Sequence, residues 1–503
     1  LKQAVNNCTL INDTYNSDIT SFQIAVDFLE QQKQQEKKTV ILSDIYQVGI
    51  PDSEMYSEIA HLITEKNISK FIGIGPNLLK YSNVFQQHPN ITSYFFANTE
   101  DFLKNIHTLH FENEVILLKG ARAFRFEKIE KILVQKLHNT ILEISLSAMQ
   151  HNLNYFRNQI PNNIKIMAMV KAYSYGSGSF EIANLLQYAG VEYLTVAYLD
   201  EGIALRNAGI TLPIMVMSPD LGSFDRMIAW QLEPEIYNFL SLNEILNVAK
   251  TFDLEAYPIH IKLDTGMHRL GFVSDDINAL TQILADNDSI KVQSIFSHLV
   301  GSDSSQFDAF TEKQATAFET MSLAICKAIG YEPLRHLANT AAITSHKSLH
   351  YDMVRLGIGL YGISSNEDIQ KNLEQISTLK THIAQIKQLD ASETVGYSRK
   401  GILSRSSKIA TVNIGYADGY FRDFGHGNAY MLVNGQKAPV IGVVCMDMCM
   451  LDITDIEDVN EGDEVIVFGK DLPINKLAQW ANTIPYEVLT AISQRVKRIY
   501  IND

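Results

Sequence analysis

Hydrophobic and polar residues alternate in three different patterns along the 503-residue chain. From residue 1 to about 138, short apolar runs that predict strands are separated by amphipathic stretches, such as 19–35 and 51–66, that predict helices. This alternation indicates a parallel sheet covered by helices, so we expect a Rossmann-like α/β domain over residues 1–138. Polar or small residues at the predicted strand ends suit either a ligand site or ordinary turns: Asp13, Asp44, Gly73 and Lys119.

The same alternation becomes more frequent in the middle of the chain. Eight apolar runs, each followed by a helical pattern, are predicted near 164–170, 192–197, 213–217, 232–237, 256–263, 290–297, 333–338 and 352–355. Eight consecutive βα units predict a (β/α)8 TIM barrel, to which we assign residues 139–373. A further strand near 139–147 precedes these units and joins either the barrel or the domain that follows.

After about residue 375 the pattern changes to short strands with a period of two. The Asn-Gly pair inside "VNGQ" predicts a tight hairpin between two of them. We therefore expect a C-terminal all-β domain over residues 374–503.

Composition narrows the partners of the protein. Its 42 Lys and Arg residues against 57 Asp and Glu residues give a net charge of −15, which argues against nucleic acid and anionic membranes as general partners. No apolar run reaches the length of about 18 residues that a transmembrane helix needs. Four cysteines in 503 residues do not suggest a disulfide framework. We expect a cytoplasmic protein with no nucleic-acid or membrane partner.

Polar side chains recur directly after the predicted barrel strands, where barrel enzymes place their active sites. They are Lys171 and Tyr175 after the first strand, Lys262, Asp264 and Arg269 after the fifth, His298 after the sixth, His336, Asn339 and Thr340 after the seventh, and Arg355, Gly357 and Ile358 after the eighth. Each alone has an ordinary structural explanation, such as a core histidine or a salt-bridged arginine. Together, cations and hydroxyls on one barrel face predict a site for an anionic, polar cofactor.

Lys171 indicates which cofactor these residues suit. A lysine in such a site can form a Schiff base, the linkage that pyridoxal 5'-phosphate (PLP) enzymes require. Barrels often bind phosphate in the loops after strands seven and eight, which here carry "NTAA" and "GIGLYG". We therefore predict PLP as the cofactor and no metal site.

Seven segments between about residues 140 and 503 resemble the alanine racemase family in order and spacing. They read "MVKAYSYGSG", "KLDTGMHRLGF", "HLANTAA", "MVRLGIGLYG", "VGYSRKG", "NIGYADGY" and "VIGVVCMDMCM". The resemblance implies a PLP-binding barrel with a C-terminal β-domain that works as a head-to-tail homodimer. It also implies interconversion of L- and D-alanine, which supplies D-alanine for peptidoglycan.

The resemblance assigns roles to the matching residues. Lys171 would hold PLP and act as one catalytic base, and Tyr397 of the partner subunit would be the other. Arg269 and Met446 of the partner subunit would bind the substrate. Besides Lys171, the implied cofactor-binding residues are Tyr175, His298, Asn339, Thr340, Arg355, Gly357, Ile358 and Tyr416. The implied supporting residues are Lys262, at a position that is often carbamylated, His336 behind Arg355, and Asp447.

Racemisation requires that a proton leave one face of Cα and return on the other, which two bases on opposite faces can achieve. Free Lys and Tyr side chains titrate near pH 10, so the pKa of each base must fall for it to act near neutrality. We expect His298 and Arg269 to be the cations that lower them. Arg355 would face the pyridine nitrogen, where an arginine donates a hydrogen bond without giving up its proton. The weaker electron sink that results favours racemisation over transamination.

The chain departs from the alanine racemase pattern in a few places. Tyr173 and Ser177 are unusual in the segment that follows Lys171, and His268 lies where Gly is common. Gln494 lies where some members have a tyrosine that contacts phosphate. These departures concern cofactor affinity and the shape of the substrate channel.

Residues 1–138 resemble a different family. "LINDTYNSDITSFQIAVDFL", "TVILSDIYQVG" and "VILLKGARAFRFEKI" are similar to the C-terminal domain of UDP-N-acetylmuramoyl-tripeptide:D-alanyl-D-alanine ligase, a Mur ligase. The "GKT" loop that such a ligase needs for ATP does not occur in this chain. We expect the chain to be the back portion of a bifunctional ligase and racemase that does not ligate by itself.

Several other functions fit part of the sequence. A PLP-dependent decarboxylase of basic amino acids would carry three consecutive glycines, which this chain lacks. A non-catalytic PLP-binding barrel would lack the C-terminal β-domain that carries Tyr397. A racemase of broader specificity that also accepts serine fits the same residues. Residues 1–138 alone would also suit a docking module without chemistry of its own.

Overall fold

The computed structural model describes residues 2–4, 6, 8–14, 18–32, 35, 37–46, 51–88, 91–133, 140–178 and 180–502. The chain divides into two compact units, Leu1–Leu137 and His138–Asp503. Residues 15–17 and 47–50 of the N-terminal motifs lie outside the described residues, as does the predicted boundary at residue 138.

The first unit contains a six-stranded sheet with helices on both faces. Its strands are β1 (Lys2–Ala4), β2 (Cys8–Asp13), β3 (Lys37–Ser43), β4 (Lys70–Ile74), β5 (Thr92–Phe96) and β6 (Glu114–Lys119), in the order β1-β2-β6-β3-β4-β5. Its helices are α1 (Ile19–Gln31), α2 (Asp52–Glu65), α3 (Pro76–Lys80), α4 (Ser82–Gln86), α5 (Thr99–Asn105) and α6 (Glu127–Leu133). All pairings are parallel except that of β1 with β2. Val40 and Leu42 pack into one apolar cluster and Ile41 into another, as the period of two in a strand requires.

Local contacts account for the polar and small residues at the strand ends of this unit. The Asp44 carboxylate accepts hydrogen bonds from the N–H groups that begin α3, and the buried Lys119 forms a 2.7 Å ion pair with Asp13. A Cβ on Gly73 would lie 2.8 Å from the Phe95 ring, so close packing excludes a larger residue there. These four residues therefore have structural roles.

The predicted barrel is confirmed in the second unit. Its eight strands are β8 (Lys165–Met169), β9 (Tyr193–Val196), β10 (Ile214–Val216), β11 (Glu233–Ile236), β12 (Tyr257–Lys262), β13 (Ile290–Phe296), β14 (Leu334–His336) and β15 (Met353–Leu356). Neighbouring strands pair in parallel from β15 through β8 to β14. Backbone hydrogen bonds of 3.0 Å from Asp352 to Arg335 and 2.9 Å from Arg355 to Ala338 close the ring between β15 and β14.

Helices surround the barrel, and apolar side chains fill its interior. The helices are α7 (Leu146–Arg157), α9 (Phe180–Tyr188), α10 (Leu199–Asn207), α11 (Phe224–Ala229), α12 (Phe239–Thr251), α13 (Ile277–Ala285), α14 (Asp308–Ile329), α15 (Thr340–Ser345) and α16 (Glu367–Gln370), and α8 is the single turn Lys171–Tyr175. A separate buried cluster comes from strand residues alone: Met167, Tyr193, Met215, Phe296 and Met353. The interior is therefore a packed core, and the space for a ligand lies at the strand ends.

The C-terminal part of the second unit is the predicted β-domain, although it also contains two short helices and is therefore not all-β. Its strands are β7 (Ile141–Ser145), β16 (Ser377–Leu389), β17 (Thr394–Val395), β18 (Gly401–Ile402), β19 (Ser407–Val412), β20 (Tyr430–Val433), β21 (Gln436–Ile441), β22 (Cys449–Asp452), β23 (Glu464–Phe468) and β24 (Lys497–Ile501), with helices α17 (Ile474–Trp480) and α18 (Pro485–Thr490). The long strand β16 pairs with β23 and β7 near its start and with β19 near its end, which closes a small barrel. Asn434 and Gly435 form the expected hairpin turn, both with positive φ.

The strand near residue 141 joins the β-domain. β7 pairs with β16 and β24 and with no strand of the TIM barrel among the described residues. None of the helices in the described ranges is long and apolar enough to cross a membrane.

Candidate active site

The segment after β8 forms a left-handed turn that carries Lys171 at its start. Four consecutive non-glycine residues, Ala172 to Tyr175, have φ between 48° and 57°. L-residues rarely adopt this conformation, at a cost of about 1–2 kcal/mol each. Contacts from other elements must therefore stabilise the turn.

Two charged side chains from distant segments hold this turn. One carboxylate oxygen of Glu201 accepts the Ala172 N–H at 2.6 Å, and the other accepts the Ala197 N–H at 2.7 Å. The Arg498 guanidinium donates two hydrogen bonds, of 2.9 and 2.8 Å, to the Gly176 carbonyl oxygen. Lys171 is thereby connected to helix α10 and to strand β24 of the β-domain.

Nine of the residues predicted for the site line one cavity of about 630 Å³ at the carboxyl ends of the barrel strands. They are Lys171, Tyr175, Arg269, His298, Asn339, Thr340, Arg355, Gly357 and Ile358. These residues come from strands far apart in sequence, and closure of the barrel brings their ends together. The structure therefore unites the cationic and hydroxyl-bearing residues that the sequence places on one face.

Burial lowers the pKa of two basic groups in this cavity, Lys171 and His298. It lowers the pKa of Lys171, and the charges of Arg269 and Lys262 lower it further. Burial and the surrounding cations, first Arg355, lower the pKa of His298 to about 3, so this imidazole is neutral near pH 7. The expectation that His298 is a cation that tunes the bases was therefore wrong, and Lys262 takes that place beside Arg269.

Arg355 is held rigidly at the back of the cavity. Its Nη1 donates to Nδ1 and the carbonyl oxygen of His336, both at 3.0 Å, and its Nη2 donates to the carbonyl oxygens of Ser297 and Leu337. Burial keeps the pKa of His336 well below its usual value, so Nδ1 is free to accept. Hydrogen bonds then continue from His336 through Ser294 to His260. The Arg355 Nε–H takes no part in these four bonds.

The residues predicted to bind the phosphate of PLP leave enough space between them for a phosphate group. The Gly357 N–H donates to the Thr340 hydroxyl at 2.9 Å. A Cβ on Gly357 would lie 3.1 Å from the Tyr175 hydroxyl and 3.6 Å from that of Thr340, so glycine keeps the space between these groups open. Burial raises the pKa of Tyr175 far above its usual value, and its hydroxyl remains a hydrogen-bond donor. The donors and the open space fit the phosphate of PLP.

Asn339 has a structural contact that the sequence did not reveal. Its side-chain oxygen accepts the Ala342 N–H at 3.1 Å and the Ser302 hydroxyl at 2.9 Å, so it caps helix α15. The cap fixes the loop that presents Thr340.

The predicted residues of the β-domain do not line this cavity. Tyr397, Tyr416 and Met446 are 70%, 42% and 54% exposed. The turn that carries Tyr397 continues with positive φ at Ser398. Asp447 accepts a 2.8 Å hydrogen bond from Arg495. Within one chain, the two predicted bases thus lie in separate places.

Sequence reasoning missed two carboxylates near Lys171. Glu201 lies in helix α10, and Glu235 lies fully buried on β11, where it forms a 2.9 Å ion pair with Lys262. The sequence signals only Glu235, as a charged residue within the predicted strand "LEPEIY", where apolar residues are expected.

None of the four unusual residues lines this cavity. Tyr173 and Gln494 line a second cavity of about 490 Å³ on the other side of the Lys171 turn. The His268 side chain is 80% exposed and hydrogen-bonds Asp264. Ser177 is fully buried. No metal-binding group of three or more His, Cys, Asp or Glu side chains occurs among the described residues.

Comparisons with known proteins agree with this arrangement. The family described as "Alanine racemase, N-terminal domain" matches residues 144–365, and "Alanine racemase, C-terminal domain" matches residues 376–500. The chain is 35% identical over 374 residues to alanine racemase 2 of Caldanaerobacter subterraneus subsp. tengcongensis, covering 73% of this chain and 96% of the relative. It is 37% identical over 377 residues to alanine racemase of Clostridium kluyveri, with coverage of 73% and 95%.

Solved structures show the same relationship. Alanine racemase of Clostridium difficile 630 superposes with a TM-score of 0.69 at 35% identity, covering 73% of this chain and 96% of that one. Alanine racemase of Bartonella henselae with covalently bound pyridoxal phosphate superposes with a TM-score of 0.67 at 26% identity, with coverage of 72% and 99%.

Proposed function

The chain belongs to the alanine racemase family, and on that basis we propose how its residues carry out PLP-dependent racemisation of alanine. The observation that carries the proposal is the position of Lys171. Its amine has a lowered pKa and opens into the same cavity as Arg355 and the hydroxyls of Tyr175 and Thr340. Bound PLP supplies an electron sink for the negative charge that develops at Cα.

The residues that line the cavity would contact different parts of PLP. Lys171 would hold PLP, and Tyr175, Thr340 and the backbone at Gly357 and Ile358 would bind its phosphate. Arg355 would point its Nε–H at the pyridine nitrogen, because its other donors are already engaged. A donor that keeps its proton leaves the ring neutral, which limits charge delocalisation and disfavours transamination.

Lys171 and Tyr397 of the partner subunit would move protons on opposite faces of Cα. The exposure of Tyr397 supports this division, since its own chain does not bring it into the cavity. Ile402 and Met446 of the β-domain are also exposed, at 75% and 54%, as expected for apolar residues that a second subunit covers. Arg269 and Met446 of the partner subunit would bind the substrate. The active unit would therefore be a homodimer.

The proposal is tested by following D-alanine formation from L-alanine in the presence of PLP. Lys171→Ala and Tyr397→Phe should each abolish turnover, while Tyr397→Phe should still bind PLP. L-Serine as a second substrate measures how broad the specificity is. A wild-type protein that binds PLP without producing D-alanine would favour a non-catalytic PLP-binding barrel.

Mixing the two inactive variants tests the shared site. A hybrid dimer of Lys171→Ala and Tyr397→Phe subunits contains one site with both bases intact. Random mixing should therefore restore about a quarter of wild-type activity, because half of the dimers are hybrids with one good site of two. If hybrids form and no activity returns, the two bases do not come from different subunits.

For residues 1–138 we propose a domain like the C-terminal domain of a Mur ligase. The support is the three sequence motifs together with the sheet of β1–β6. In a protein that also ligates, such a domain would couple production of D-alanine to its use in peptidoglycan precursors, a cytoplasmic process. Calorimetric titration of the full chain with a UDP-N-acetylmuramoyl peptide tests this proposal. A binding heat that does not saturate contradicts a ligand site in this domain.

A further inference from the structure

A chain of hydrogen bonds crosses the interior of the barrel beneath the candidate site. Near the carboxyl ends of the strands, Arg355 Nη1 donates to His336 Nδ1 at 3.0 Å, and His336 Nε2 lies 2.8 Å from the Ser294 hydroxyl oxygen. The same hydroxyl lies 2.6 Å from His260 Nδ1. His260 Nε2 lies 2.9 Å from a carboxylate oxygen of Glu233, the first residue of β11. The chain therefore joins the amino end of β11 to the arginine in the cavity.

The two end groups determine the direction in which the bonds of this chain run. A guanidinium can only donate, and a carboxylate without its proton can only accept. Burial keeps the pKa of His336 well below its usual value, so this ring is neutral, accepts at Nδ1 and donates from Nε2 to Ser294. The single hydroxyl proton of Ser294 is then donated to His260 Nδ1. His260 carries its own proton on Nε2, which donates to Glu233, and each group in the chain has a partner.

Both imidazoles of the chain are fully buried and are held by aromatic rings. The Phe296 ring stacks on that of His336, with 4.9 Å between the centroids, and the Tyr193 ring meets that of His260 edge-on at 5.9 Å. The Glu233 side chain is 13% exposed, and among the described residues it forms an ion pair with His260 alone. A polar chain whose members are all satisfied in such surroundings fixes their orientation.

Removal of Glu233 would allow the chain to reverse. The buried Nε2–H of His260 would lose its acceptor, which is costly, and the ring would gain by carrying its proton on Nδ1, where Ser294 accepts it. The Ser294 hydroxyl would then donate to His336 Nε2. That bond requires the His336 proton to lie on Nδ1, against an N–H of Arg355. Two donors in contact repel each other, so Arg355 would lose one of the groups that hold it.

We propose that Glu233 is a positioning residue, which fixes the direction of this chain from the far end of the barrel and so holds Arg355 in place. Glu233 does not line the cavity and acts through His260, Ser294 and His336. The inference rests on the proposed function in one respect, namely that Arg355 faces the pyridine nitrogen. The positions of the two imidazole protons can be read whether or not the protein racemises alanine.

Solid-state 15N NMR of the full chain labelled at histidine reads these protons, because protonated and unprotonated ring nitrogens differ in chemical shift. Spectra are recorded with and without PLP, and the signals are assigned with His260→Gln and His336→Gln. In wild type, both rings should carry their proton on Nε2. In Glu233→Met, which keeps the length of the side chain but removes both acceptor oxygens, the His260 proton should move to Nδ1. Glu233→Gln, which retains one acceptor oxygen, should keep it on Nε2.

Steady-state kinetics and titration with PLP test the effect on Arg355. Ser294→Ala, which interrupts the chain, and Glu233→Met should each lower kcat and weaken PLP binding by about tenfold, with an unchanged KM for alanine. Glu233→Gln should retain most of both. Because Ser294→Ala and Glu233→Met break the same chain, the double variant should be no worse than either alone. Glu319→Gln is the matched control, since it removes a carboxylate that pairs with Arg335 on β14 and leaves the chain intact.

Each outcome supports or overturns the proposal. A wild-type His260 that carries its proton on Nδ1 overturns the direction of the chain. A Glu233→Met protein in which this proton moves while kcat and PLP affinity stay at wild-type values overturns the positioning role, and so do additive losses in the double variant. If Glu233→Met does not fold, Ser294→Ala decides, and an unchanged kcat overturns the role. A wild type that neither binds PLP nor racemises refutes the proposed function, while the NMR result still stands for the chain.

Discussion

The neutral imidazole of His298 makes the barrel unit sensitive to acid. Its pKa is about 3 in the folded protein and about 6.5 when unfolded, so between these values the unfolded chain binds the extra proton. The contribution of His298 to the free energy of unfolding is therefore fully present above about pH 6.5 and is lost as the pH falls toward about 3. At pH 4.5, two units into this range, His298 alone should have cost about 2–3 kcal/mol. Replacement by Gln, which does not titrate, should remove that part of the loss.

Urea unfolding monitored by tryptophan fluorescence measures this effect. Both tryptophans of the chain, Trp230 and Trp480, lie in the second unit, so their emission reports on the barrel and the β-domain. Cofactor-free wild type and His298→Gln are compared at pH 7.5 and 4.5. Other buried groups such as His336 titrate in both proteins, so the difference between the two losses isolates His298. Equal losses within about 0.5 kcal/mol would refute the reasoning.

Two further predictions concern the turn that follows Lys171. Glu201→Ala should lower the free energy of unfolding by about 2 kcal/mol and weaken PLP binding, because the left-handed turn loses its main acceptor. Glu201→Gln keeps one acceptor oxygen and should lose less stability. Equal stability of wild type and both variants would contradict this prediction. Gly178→Ala should cost about 3 kcal/mol in thermal unfolding, since its Cβ would lie 1.7 Å from the Tyr500 hydroxyl at a φ of +109°. Gly190→Ala is the control, with a φ of +73° and nothing within 4 Å of the added Cβ, and should cost only about 1 kcal/mol; similar costs for the two would show that the contact with Tyr500 does not matter.

Much of the second unit could be predicted because its signals are local. Each barrel strand is a short apolar run, and such runs stand out against the helical period between them. Lys171 follows one of these runs directly, so its place at the barrel mouth follows from the order of the elements. The Asn-Gly turn is likewise set by two adjacent residues whose backbone tolerates positive φ.

The left-handed turn could not be predicted in the same way. Nothing within Ala172–Tyr175 favours positive φ over an ordinary helix or loop, and the groups that stabilise it, Glu201 and Arg498, are far away in sequence. The cost of the conformation is offset only when α10 and β24 are in place. Tertiary contacts thus determine where the Lys171 amine points.

The sequence by itself determined the order of the domains, the barrel, the cofactor and the family, because periodicity and motifs are properties of neighbouring residues. Only the tertiary structure decided that His298 is neutral, that Asn339 is a helix cap, and that Glu235 faces Lys262. The last pair is 27 residues apart and meets because β11 and β12 lie side by side in a closed barrel. Charge state and partner choice depend on burial and strand register, which exist only once the chain has folded.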